Sequence, residues 1–272
     1  MSDFLSVFTY GFVLRAFFVG ICISLCASLL GVTLVLKRYS MIGDGLSHLG
    51  FGAMTVALAL NVAPLYVAVP VMFVAAYLLL KLRENSRVNG DSMIAVISTS
   101  AIAVGVVAAS LAGGMNMDVY SYMFGSILSV SALDGVFAAV LALAVGTVYI
   151  LLYNRIFAVT FDEAFASATG TNTKVFNVVL AMLSALVVVV GMRIMGAMLI
   201  SGLMIFPAIT AMRLFSSYKR VTVASAVISV IAFVVGMILS CAFSFIPAGA
   251  GVVLANLILL LASSLIAAIK GR

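Results

Sequence analysis

An all-α, polytopic membrane bundle of about nine spanning helices is the fold this sequence predicts, and three observations carry the prediction. First, 65% of the 272 residues are hydrophobic and only 8% charged, against about 45–50% and about 25% in ordinary soluble domains. Second, apolar runs follow one another with short breaks, each near the ~20 residues a helix needs to cross the hydrocarbon core. Third, basic residues gather in every second break. A soluble enzyme, a nucleic-acid module and a disordered regulator are excluded, because such a chain has too little polar surface to cover itself in water. The net charge of +6 is read as an orientation signal rather than a nucleic-acid surface.

The runs are bounded as follows. Residues 8–36 follow an acidic start at Asp3, are too long for a signal h-region, and stop at Lys37-Arg38. Residues 42–61 open with Asp44 and His48. Residues 64–82 close around Lys81 and Arg83, and 92–113 begin after Arg87. Residues 131–153 stop before Arg155, and 174–192 start at Lys174. Residues 194–213 contain Pro207 and end on Arg213. Lys219-Arg220 precede 221–244, and 247–269 end before Lys270 and Arg272. With alternating spans, twelve basic residues fall on one side: Lys37, Arg38, Lys81, Arg83, Arg87, Arg155, Lys174, Arg213, Lys219, Arg220, Lys270 and Arg272. Arg15 and Arg193 fall on the other. The positive-inside rule then places the N-terminus outside and the C-terminus in the cytoplasm, which an odd number of spans satisfies. No polar linker divides the chain, so residues 1–272 read as one transmembrane domain.

Two connections exceed turn length. Residues 114–130 fall outside, with Tyr120, Tyr122 and Phe124 suited to an interface belt. Residues 154–173 fall in the cytoplasm and hold the adjacent acids Asp162-Glu163, then Phe165 and Gly170. Asp162 or Thr160 suits the N-cap of a short helix that ends near Gly170.

In a bilayer the informative residues are the costly ones. Asp3, Glu84, Asp91, Asp118, Asp134, Asp162 and Glu163 sit in loops or near run ends, whereas Asp44 does not, and His48 is the only histidine. Four residues apart, the two share one helix face, and a carboxylate with an imidazole suits a divalent first-row metal such as zinc or manganese. Gly43, Gly45, Gly50 and Gly52 permit either close helix packing or an unwound, cavity-lining turn. The same spacing also suits an N-capping aspartate beside an interfacial histidine, and the residues alone leave both readings open. A transport site must release its ion, so backbone carbonyls, water or the same pair from a second copy can complete the shell. Cys22, Cys26, Cys241 and the methionines read as packing residues. Pro207 should kink its run by removing one helical hydrogen bond, with Ser201-Gly202 as a flexible or closely packed point, so Ser201, Gly202 and Pro207 are candidate gating or pathway residues.

These features together resemble the membrane permeases of bacterial zinc/manganese, metal-chelate type ABC importers. The stretch Tyr39 to His48 is similar to the Gly-Asp-x-x-x-His signature of that family, and Gly196 to Ala211 to its second signature, ending in Pro-Ala-x-Thr-Ala. Asp162-Glu163-Ala164-Phe165 with Gly170 resembles its coupling loop, and Tyr122-Met123-Phe124-Gly125-Ser126 and Pro247-Ala248-Gly249 recur there. Gly45 and Gly202 depart from it, standing where relatives often carry a larger small residue. The resemblance implies a multi-pass protein of the bacterial plasma (inner) membrane that pairs with a second copy of itself, two cytoplasmic ATPase subunits, an external metal-binding protein and membrane lipid. It also implies that Asp44 and His48 line the route of Zn²⁺ or Mn²⁺ as transported substrate, with no permanently bound cofactor. The chain carries no Gly-x-x-x-x-Gly-Lys-Ser/Thr phosphate loop, so as a non-enzymatic transport subunit it would draw ATP energy through residues 154–173, with Asp162, Glu163, Phe165 and Gly170 as coupling residues. The alternative from another class is a stand-alone secondary metal or cation carrier, which typically shows several buried acids and broken helices. A channel would need a charged ring or carbonyl filter.

Overall fold

The computed structural model describes residues 11–85, 90–114, 117–125, 130–243 and 246–269. Asp3, Arg87, Ser126, Lys270 and Arg272 lie outside them. The described chain forms helices α1 (Gly11–Leu36), α2 (Ser40–Ala59), α3 (Pro64–Asn85), α4 (Gly90–Leu111), α5 (Met117–Phe124), α6 (Ala132–Leu151), α7 (Tyr153–Phe161), α8 (Glu163–Ala168), α9 (Thr173–Met195), α10 (Ala197–Leu214), α11 (Tyr218–Ala242) and α12 (Ala248–Ile269). Eight of these are long and apolar enough to cross a membrane. The remaining long helix, α2, has 20 residues, about 30 Å at 1.5 Å per residue. It falls short in apolarity because Asp44, His48 and four glycines occupy its first two-thirds. The nine expected runs therefore correspond to nine long helices among the described residues.

The connections explain the compactness of the bundle. After α1, Arg38 adopts a left-handed φ of 59°, Arg38 N donates to Val35 O and Tyr39 N to Leu34 O, the two bonds of a Schellman cap. Asn61 (φ 55°) closes α2 in the same way, through Asn61 N to Leu58 O and Val62 N to Ala57 O. Corners of three and four residues hold α2 beside α1 and α3 beside α2. Glycines then let α2 and α4 approach closely. A β-carbon on Gly52 would lie 2.5 Å from the Ala101 carbonyl oxygen, and one on Gly105 would lie 3.0 Å from Gly52 Cα. The glycines of α2 thus serve close packing, and the helix is unbroken.

Residues 114–130 differ from a simple interface belt. Tyr120 is exposed, yet Val119 is buried, and Tyr122 and Met123 lean on the main core. The end of α5 meets the α9–α10 turn, where Gly196 is buried. A β-carbon on Gly196 would collide with Gly125 N, and one on Gly249 at the start of α12 would lie 2.6 Å from Phe124 O. At the rim of this turn Arg193 pairs with Asp134 at 3.2 Å, and Asp134 also completes a capping box with Ser131 at the start of α6.

At the opposite end of the bundle lie the α1–α2 corner, the α6–α7 junction and the starts of α9 and α11. Lys37, Arg38, Lys81, Lys174 and Lys219 gather there. Beside it Tyr149 bridges Thr33 (2.9 Å) and Tyr218 (2.7 Å), tying α1, α6 and α11. The aromatic rings of Tyr153, Phe157 and Phe161 stack around Tyr218. The expected single short helix in 154–173 is two helices, α7 and α8, with Ile156 and Val159 of α7 buried beneath α1.

Candidate metal site and coupling helix

Asp44 and His48 occupy the second and third turns of α2. The helix places them on one face, and His48 Nε2 lies 3.5 Å from Asp44 Oδ2. That is long for a good N–H···O bond, which falls near 2.7–3.2 Å. It is the spacing of two donor atoms on one tetrahedral ion, since bonds of ~2.0–2.2 Å put adjacent ligands roughly 3.3–3.6 Å apart. Both side chains are about one-third exposed, so the pair is reachable rather than sealed in the core. Ser47, between them, donates to Asp44 O (2.7 Å) and so turns its hydroxyl onto its own backbone, leaving the face to the acid and the imidazole.

The third member comes from 157 residues away in the chain. The Ser201 hydroxyl, in the first two turns of α10, lies near the Asp44 carboxylate and donates to Met198 O at 3.2 Å. α10 comes alongside because Gly31 of α1 abuts the Met204 carbonyl, where a β-carbon could not fit, and because Met204 Sδ lies 3.5 Å from the β-position of Gly43. Of the three residues expected on a pathway helix, only Ser201 joins the acid–imidazole pair. Gly202 faces Val253 of α12, and Pro207 lies buried inside α10, which runs on through it to Leu214. No third His, Cys, Asp or Glu joins a metal-binding group among the described residues. Cys22, Cys26 and Cys241 are free thiols, with Cys26 fully buried in keeping with packing.

The four residues expected to couple, Asp162, Glu163, Phe165 and Gly170, form a compact unit at the basic end. Asp162 is the N-cap of α8, and its Oδ1 accepts from Phe165 N at 2.9 Å. Of the two cap residues the sequence offers, Asp162 takes the role, while Thr160 bonds back to Ile156 O within α7. Gly170 stands at φ 86°, and Gly170 N to Ser167 O with Thr171 N to Ala166 O close a Schellman cap. Between the caps, Phe165 is 62% exposed, a large apolar ring left mostly uncovered by the described residues. Glu163 turns the other way, toward Lys37. The sequence shows Lys37 only as an orientation charge, and nothing local distinguishes it from the other basic residues. The structure buries its side chain to 6% exposure.

With this geometry in hand, known proteins give three comparisons. The sequence profile described as the ABC 3 transport family matches residues 9–267. The high-affinity zinc uptake system membrane protein ZnuB of Haemophilus influenzae is 28% identical over 91% of this chain and 95% of its own length. The manganese transport system membrane protein MntC of Halalkalibacterium halodurans is 27% identical over 90% of this chain and 84% of its own. Among solved structures, PsaBC from Streptococcus pneumoniae in complex with Fab superposes with a TM-score of 0.85 at 25% identity, over 96% of this chain and 94% of that one.

Proposed function

The chain belongs to the ABC 3 transport family, and on that premise we propose that it is the permease of an importer that carries a divalent transition metal into the cytoplasm, zinc first and manganese next. It is a multi-pass protein of the bacterial inner membrane. The observation that carries the reading is the Asp44–His48 pair, whose 3.5 Å donor separation fits one shared ion, with Ser201 of α10 at its edge. Two partly exposed protein ligands hold an ion without trapping it, as transport requires. Between the two metals, an Asp–His set binds zinc more tightly than manganese under the usual affinity order. Relatives named for zinc and for manganese uptake bracket the same choice.

Two permeases work with two cytoplasmic ATPase subunits, and an external metal-binding protein delivers the ion. The basic end of the bundle faces the cytosol, as the positive-inside rule requires. There the exposed Phe165, on a helix capped by Asp162 and stopped at Gly170, is the anchor for the ATPase. The direct test is metal uptake by proteoliposomes that contain the permease with its ATPase, supplied with zinc or manganese in turn. Asp44→Asn and His48→Ala should each lower uptake by about tenfold or more, while the assembled complex survives detergent extraction intact. Wild-type uptake by both variants removes the proposed site. Uptake that continues without the ATPase restores the secondary-carrier alternative.

A further inference from the structure

Lys37 is a buried cation with three hydrogen-bond acceptors. Its Nζ donates to Glu163 Oε1 at 2.5 Å, to Asn177 Oδ1 at 2.5 Å and to the Val159 carbonyl at 3.3 Å. Asn177 Nδ2 donates in turn to the same Glu163 oxygen at 3.2 Å. The ammonium also sits 5.5 Å from the centre of the Tyr39 ring, within cation–π range. A cavity of only about 10 Å³ adjoins it, lined in part by Thr33, Tyr39 and Asn177, so the charge depends on these partners rather than on bulk water.

Each partner belongs to a different element. Glu163 is the first residue of the coupling helix α8, Val159 belongs to α7, and Asn177 lies in the first turns of α9. Lys37 itself closes α1, and Tyr39 is the N-cap of α2. Asp44 follows Tyr39 by five residues on an unbroken helix, so a shift of the α1–α2 corner is carried to Asp44 and His48 by a rigid element. Charge-assisted bonds of this sort are directional and roughly twice as strong as neutral ones. A displaced α8 must therefore either drag the corner with it or break a bond to a buried ammonium. Glu163 is the one charged partner in this set, so the counter-charge of the buried ammonium is carried by α8.

We propose that Lys37 is the positioning residue through which the α8 coupling helix sets the placement of α2 and, with it, of Asp44 and His48. The proposal rests on the permease reading above and adds the route by which ATP-driven movement at α8 reaches the metal ligands. It is tested on the full complex in proteoliposomes, with ATP hydrolysed and zinc or manganese transported measured on the same vesicles. Lys37→Met keeps the aliphatic stem and removes the charge. It should still bind the ATPase as the wild type does, but metal moved per ATP should fall by about tenfold. Glu163→Gln, at a half-exposed acid, should shift the same ratio in the same direction by less. The double variant should be no worse than Lys37→Met alone, the non-additivity expected of one shared bond. Lys37→Arg, which retains the charge, should recover part of the ratio. A normal ratio in either single variant overturns the proposal. So does loss of ATPase binding or of fold in Lys37→Met with a normal ratio in Glu163→Gln, which leaves Lys37 a structural staple. A wild-type complex that moves neither metal strikes the permease reading instead.

Discussion

The helix that carries Asp44 and His48 starts from a corner held by a buried ammonium, whereas the helix that carries Ser201 starts from a turn held by backbone contact. At the Lys37 corner the bonds run between side chains of α1, α8 and α9, and each can lengthen or exchange partners. At the Gly196 turn there are no side chains to adjust. Gly196 holds φ 85° and ψ 156°, a region open essentially to glycine, and both it and Gly125 sit where a β-carbon would strike the facing backbone. Directional polar contacts permit a second arrangement at modest cost. Backbone laid against backbone does not. The difference assigns the two ends of the site different duties: the ammonium corner transmits, and the glycine turn anchors.

Substitution at the anchor should have the largest effect. Gly196→Ala combines backbone strain with overpacking, each worth ~1–3 kcal/mol, so the loss should be on the order of 4 kcal/mol. It should appear as low yield and a depressed aggregation temperature in detergent. A wild-type midpoint would break the comparison, since the turn would then be adaptable after all. The coupling helix should behave in the opposite manner. Phe165→Ala should weaken ATPase association by about tenfold, the scale of losing an interface anchor, with the detergent midpoint unchanged, whereas Gly170→Val, strained at φ 86°, should weaken association and also lower the midpoint. Pull-down against a dilution series of the ATPase reads this, and a fall in midpoint in Phe165→Ala instead would place Phe165 within the fold. The smallest effect belongs to the polar tie just inside the corner. Tyr149→Phe removes the bonds to Thr33 and Tyr218 and should cost about 1 kcal/mol, a small shift in the same midpoint with metal transport retained.

Much of this was legible in the sequence because it is local. Helix spans are announced by apolar runs, the α8 cap by Asp162, its stop by Gly170, and the acid–imidazole face by a spacing of four. What escaped reading depends on residues far apart in the chain. Ser201 meets Asp44 only because Gly31 admits the backbone of α10. Lys37 resembles any other basic residue until α8 folds beneath α1. Tyr122, suited on composition to a lipid interface, packs on the core because Gly125, Gly196 and Gly249 leave room for the backbone of α5. Periodicity reports which face of a helix is apolar. It is silent on which other helix a missing β-carbon has been removed to receive.

The modest apolarity of α2 also bears on how the protein reaches its membrane during synthesis. An acid at the centre of a helix adds ~2.5–3.5 kcal/mol to its insertion and less toward an end; Asp44 lies in the second turn of α2, with His48 adding to the cost and the glycines beside them contributing little to offset it. Emerging alone from the ribosome, α2 would partition poorly into lipid. The corner at Lys37-Arg38-Tyr39 is only three residues long, and α1 is strongly apolar with no charge beyond Arg15. The short corner suits the two to enter as a helical hairpin, with α1 supplying the favourable partitioning, before α10, synthesised some 140 residues later, packs beside Asp44.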